Sequence, residues 1–142
     1  MSSFMYPNLV VKGFSGEFDI GTDDVKVALF NSSYTPSKTH VNFADLGANQ
    51  LAEGEGYLTG GVIVTCSVSY DETVDKAAFV SSSPEWTANG GSIGPWRYAV
   101  WYNDTQLNKP LIYCFDAGSD ITVTDGNKTG VNVAVAGLFR IG

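Results

Sequence analysis

Residues 94–104 read GPWRYAVWYND. Side chains alternate across an extended strand, so Trp96, Tyr98, Val100 and Tyr102 point one way and Arg97, Ala99 and Trp101 the other. A strand with one wet face keeps its large apolar residues on the opposite side. This one carries a tryptophan on each. Both faces therefore need a cover: a loop, a second sheet or another subunit. Burial on two sides suits a covered sheet better than a shelf open to solvent.

The remaining segments predict further strands. VKVALFN (25–31) is β-branched-rich behind an Asp23-Asp24 lead-in. GVIVTCSVSY (61–70) alternates, with Val62, Val64, Cys66, Val68 and Tyr70 on one face and Ile63, Thr65, Ser67 and Ser69 on the other. That is the signature of a half-buried antiparallel strand, and it puts Cys66 in the core. DETVDK (71–76) predicts a polar turn and AAFVSS (77–82) its returning hairpin partner. A glycine-rich loop, GGSIGPW, leads into the strand 96–103, and DTQLNK turns ahead of PLIYCF (110–115). DITVT (120–124) and GVNVAVAGLFRI (130–141) flank the turn DGNKT, with Val131, Val133 and Val135 alternating with Asn132, Ala134 and Ala136.

Short strands at this spacing predict an all-β chain, a single-domain antiparallel β-sandwich of jelly-roll-like kind. The 142 residues suit one domain, and no repeat or linker divides them. Residues 1–15 are expected as an N-terminal arm, in which YPNLVVKGFS (6–15) fits either a short helix or a strand. Residues 16–142 are then the sandwich. Within it, 32–60 is too long for a simple hairpin connection. A turn of helix is expected near NFADLGAN, and the excursion is expected to touch a partner.

Charge narrows the function classes. Fifteen acidic residues against eight basic ones leave a net charge of −7. The bases are scattered singly, so no basic stripe is available for nucleic acid, and an anionic membrane surface would repel the chain. No apolar run approaches the roughly 20 residues of a membrane-spanning helix. MSSFMYPNLVVKG lacks the basic and long apolar regions of a cleaved signal. The expectation is a chain made in a reducing cytosol, or one leaving it without a cleaved signal, with Cys66 and Cys114 as buried thiols. A disulfide between them requires neighbouring strands.

Catalytic and ligand signals are weak. His40, the one histidine, lies in the polar stretch SKTHVN, and no Gly-x-Ser-x-Gly elbow accompanies it. Two separated cysteines and one histidine offer no paired zinc spacing. GGSIG is followed by Pro95 and not by a helix, which removes a phosphate-cradle reading. DGNKTG departs from a calcium loop because Thr129 stands at the third ligand position. Asp23, Asp24, Asp116, Asp120 and Asp125 read as turn acids. A glycosidase pair among them is invisible in sequence. No metal, cofactor or catalytic residue is expected. Arg97 reads as a structural anchor pairing with an acid such as Asp116.

The aromatics carry the remaining signal. Trp86, Trp96, Trp101, Tyr102 and Tyr113 fit a carbohydrate-stacking platform, or a core continued into a subunit interface. The interface is favoured, with Trp96, Trp101 and Tyr102 as its residues.

Four stretches also resemble small virion structural proteins of tailed bacteriophages: GEFDIGTDDVKVALFNSSYTP (16–36), GEGYLTGGVIVT (54–65), RYAVWYND (97–104) and PLIYCFDAGSD (110–120). They occur in the same order there, and the resemblance covers roughly residues 16–124. The chain departs in GPWRY, where an unspecialised residue often precedes the Arg-Tyr, and in FDAGSD for the usual DFGSD. The resemblance implies a capsid decoration or cement protein that binds the major capsid protein on the virion surface and needs no cofactor. It also implies self-association. Closed symmetry and the many three-fold positions of an icosahedral shell make a homotrimer the expected form. The 32–60 excursion, through Tyr34, Phe43 and Tyr57, and the N-terminal arm are the expected capsid contacts, since loops and arms are free to reach outward. Alternatives are a tail or fibre component of the same virion and a carbohydrate-binding module.

Overall fold

The computed structural model describes residues 3–135 and 137–141. It is an all-β domain of antiparallel sheets packed together as a sandwich. In chain order the strands are β1 (Phe4–Met5), β2 (Val25–Phe30), β3 (Val62–Val64), β4 (Cys66–Asp71) and β5 (Lys76–Ser81). They continue with β6 (Glu85–Thr87), β7 (Ile93–Asn103), β8 (Leu111–Val123), β9 (Lys128–Gly130) and β10 (Phe139–Ile141). Among the described residues one α-helix, α1, spans Asn8–Phe14. It resolves the helix-or-strand ambiguity of residues 6–15 in favour of helix.

A five-stranded sheet, ordered β1-β8-β7-β2-β3, forms one layer. A three-stranded sheet, β10-β5-β4, and a β6-β9 ribbon stand in the other. The 61–70 run does not form one strand. It splits at Thr65, with β3 pairing with β2 and β4 pairing with β5. Alternation continues through the break, so the pattern could not reveal that the chain changes sheets. Val68 and Tyr70 are consequently exposed, and Cys66 is only half-buried. Segments 110–115 and 120–124 join as the single strand β8, whose register against β7 jumps from Asp116 opposite Tyr98 to Ile121 opposite Trp96. The extra residues form a bulge, where Asp116 Oδ1 accepts a hydrogen bond from the Gly118 N–H at 2.8 Å. The expected strand 130–141 is mostly loop, paired only at β9 and β10, and Val135 is exposed. Ala136 lies outside the described residues.

The question set by residues 96–103 has a direct answer. On one face of the large sheet, Val25, Val27 and Leu29 from β2, Ala99 and Trp101 from β7 and Ile112 from β8 pack against Phe79, Trp86 and Leu9. On the other, Ala28, Phe30, Tyr98, Val100, Tyr102 and Cys114 pack against Tyr6, Tyr34 and Leu46. The first face is covered by the second layer and α1. The second is covered by the chain's own N-terminal arm and its 32–60 excursion. Trp96 joins the face of Trp101, not that of Tyr98, because register shifts flank it on both sides.

Short fastenings hold the excursion down. The Phe43 N–H donates to Lys109 O at 2.9 Å and the Leu111 N–H to Val41 O at 2.8 Å. The Asn31 N–H donates to Asn49 O and the Leu51 N–H to Leu29 O, both at 3.0 Å. Between these ties sits the expected helical turn, a 3-10 turn over Phe43–Leu46 closed by a reciprocal Asn42–Asp45 cap. Gly61, just past the excursion, sits at φ +83°, so close to β2 that a Cβ there would lie 1.8 Å from Val27 O.

Candidate interaction surface

Trp96, Trp101 and Tyr102 lie inside the chain, and each polar end is satisfied there. Trp101 Nε1 donates to Ser81 Oγ at 3.0 Å, Trp96 Nε1 to Thr129 Oγ1 at 3.0 Å, and the Tyr102 hydroxyl to Gly60 O at 2.6 Å. Trp96 and Trp101 expose nothing to solvent. A subunit interface at these three residues is therefore corrected: the covering layer belongs to the same chain. The carbohydrate platform loses the same rings, together with the buried Trp86.

The expected capsid contacts also turn inward. Tyr34 and Tyr57 are buried and Phe43 is half-buried. Phe43 packs on Tyr102 with ring centroids 4.4 Å apart. The Tyr57 hydroxyl accepts from the Leu29 N–H at 3.0 Å and donates to Gln50 Oε1 at 2.7 Å. The Tyr34 hydroxyl bonds to that of Tyr6 at 2.8 Å and to His40 Nδ1 at 2.9 Å. These aromatics anchor the excursion; its outward side is polar apart from residues such as the exposed Leu58.

The carboxylates of Asp23, Asp116 and Asp125 have structural partners. Arg97 grips Asp116 with Nε–Oδ1 at 3.0 Å and Nη2–Oδ2 at 3.4 Å, the anchor expected from sequence. Burial pushes the Asp116 carboxyl up, but the Arg97 guanidinium and the Gly118 N–H outweigh it and hold the group below the usual carboxylate range. Burial likewise pushes Asp23 up, and hydrogen bonds from the Asp19 N–H, Asn103 and Gln106 reverse the shift. Asp125 accepts from the Gly90 N–H at 2.9 Å. A general acid would need the opposite, a raised carboxyl. Cys66 and Cys114 are free thiols on different sheets, and burial pushes Cys114 up to about 12. Among the described residues, no group of three or more His, Cys, Asp or Glu is placed to hold a metal ion.

What the surface does present is apolar. The inner face of the three-stranded sheet carries two cross-strand rows, Val68–Phe79–Phe139 and Tyr70–Ala77–Ile141. Phe79 enters the core, and its ring stacks on Phe139, which stacks in turn on Tyr113 of β8. The second row runs past the core. Helix α1 and the 18–20 segment close over it only in part, leaving an open groove of about 320 Å³ lined by Leu9, Phe14, Phe18, Val68, Phe139 and Ile141. Phe14 is 91% exposed and Val11 59%. Two ion pairs stand near the rim: Lys12 with Glu17 at 3.3 Å and Arg140 with Asp71 at 3.2 Å.

This groove is the candidate site, and sequence reasoning passed over it. One signal was present. The helix residues NLVVKGF carry Leu9, Val10, Val11 and Phe14, too much apolar surface for seven residues to turn toward one core. A helix apolar on more than one side calls for a second cover. Comparison with protein-family models, curated proteins and solved structures finds no match for this chain.

Proposed function

We propose that this chain is a structural protein of a phage virion that decorates the capsid and docks on the lattice of the major capsid protein. The order of the motifs in 16–36, 54–65, 97–104 and 110–120 carries the reading. The apolar groove beside α1 supports it by offering a docking face of suitable character. Contiguous exposed apolar surface of this kind marks interaction sites on soluble domains. The N-terminal arm contributes Val10 and Phe14 to that face, so of the two expected contact regions the arm, and not Tyr34, Phe43 and Tyr57 of the excursion, takes the role. A decoration protein works by binding, and the paired, lowered carboxylates suit a scaffold. Self-association, if it accompanies decoration, must use a surface other than Trp96, Trp101 and Tyr102.

The test is the copy number of the chain relative to the major capsid protein in purified particles, by quantitative mass spectrometry. Decoration predicts a ratio of the same order as the capsid protein. A few copies per particle would move the chain to the tail or a vertex, and complete absence would remove it from the virion.

A further inference from the structure

The sheets end in strands of very different length. Among the described residues, β1 has 2 residues and β3, β6, β9 and β10 have 3 each, while β4 has 6. Short edge strands resist pairing with other chains, as do edges carrying lysine, proline or a bulge. β4 has none of these protections. It ends the order β10-β5-β4, so its outer edge has no neighbouring strand among the described residues. Cys66–Tyr70 reads CSVSY, without charge or proline. Its register against β5 runs unbroken from Cys66 opposite Ser81 to Asp71 opposite Lys76. Ser67, Val68, Ser69 and Tyr70 are all exposed.

We propose that β4 pairs edge to edge with β4 of a second copy of this chain, antiparallel, across a two-fold axis through Val68. An unsatisfied strand edge asks for a strand, and the charges select which one. Copies carrying −7 each repel, so a contact between them must fall on an uncharged stretch. β4 leads directly into an acidic turn holding Asp71, Glu72 and Asp75. Parallel pairing would set two such turns side by side. Antiparallel pairing sends them to opposite ends of a seam about 17 Å long, at about 3.4 Å per residue. Centring on Val68 uses the whole neutral run and leaves Asp71 beyond it. Cys66 then faces Tyr70 of the second copy, Ser67 faces Ser69, and the two apolar groove floors meet along the seam. The two three-stranded sheets become one of six strands.

This inference does not depend on the virion reading, and purified chain alone tests it. Sedimentation velocity across a concentration series should show the wild type passing from monomer to dimer and no further. The double variant Ser67→Lys/Ser69→Lys places lysine opposite lysine twice across the seam, where like charges repel. Both serines are exposed, so the monomer tolerates the change. The variant should self-associate at least tenfold more weakly, with an unchanged circular dichroism spectrum. If that variant fails to fold, Val68→Lys carries the same prediction from the other face of the strand. A wild type that stays monomeric at every concentration overturns the proposal. So does a trimer, or a folded lysine variant that dimerises like the wild type.

Discussion

Trp101 lies between the two layers, edge to face with the Tyr113 ring at a centroid separation of 5.7 Å and with its Nε1–H on Ser81. Removing the ring opens a cavity and leaves the buried Ser81 hydroxyl without its donor. Trp101→Ala should therefore cost about 3–5 kcal/mol, the range for deleting a large buried aromatic. Urea unfolding of the variant measures it. A loss below about 1 kcal/mol would place the ring outside the core. Tyr57 acts through one oxygen. Its hydroxyl is the acceptor for the Leu29 N–H in a wholly buried part of β2. Tyr57→Phe keeps the ring and orphans that donor, for an expected loss of about 1–3 kcal/mol. Unchanged stability would mean that the Leu29 N–H has another partner.

At the scale of the elements, local pattern and turn chemistry made much of the fold legible. The strand at Val25–Phe30, the hairpin of β4 and β5 and the turn after Asn103 follow from alternation bounded by polar turns. The Arg97–Asp116 pair was legible because the two residues fall on neighbouring strands. Alternation fails where its period survives a change of partner. GVIVTCSVSY keeps its pattern while the chain leaves one sheet for another at Thr65, so Val68 and Tyr70 were placed in a core they do not reach. It fails again after β9, where Val131 and Val133 pack from a loop while Val135 is exposed. The candidate site was missed for a related reason. Pattern showed that β7 needed cover on both sides, but not that the arm and excursion supply one cover and leave α1 only half used. Aromatic residues mark buried surface and interface surface alike; here the second layer buries Trp96 and Trp101, and the excursion buries Tyr102.

For the whole molecule, pH reads the polar framework. Asp23, Asp45, Asp104 and Asp116 all lie below the ordinary carboxylate value in the folded chain. A carboxyl depressed by folding contributes stability that is complete above its unfolded value, about 3.9, and disappears as pH falls through the folded one. The thermal midpoint should hold steady from neutrality to about pH 5 and fall steeply below pH 4. A midpoint equal at pH 7 and pH 3 would contradict the bonding drawn for these acids. Asp116→Asn, which keeps the shape and removes the charge held by Arg97, should flatten part of that slope.

The domain closes its large sheet on both sides with its own chain and leaves an apolar groove open beside α1. The docking role proposed for that groove is tested most directly by pelleting purified chain with capsid particles that lack it, wild type against Phe14→Asp. Phe14 is almost fully exposed, so the substitution spares the core. Wild type should pellet with the particles, and Phe14→Asp should bind at least tenfold more weakly while melting at the same temperature. Equal binding by the two would show that the groove is not the docking face. Wild type left in the supernatant would contradict the capsid reading itself.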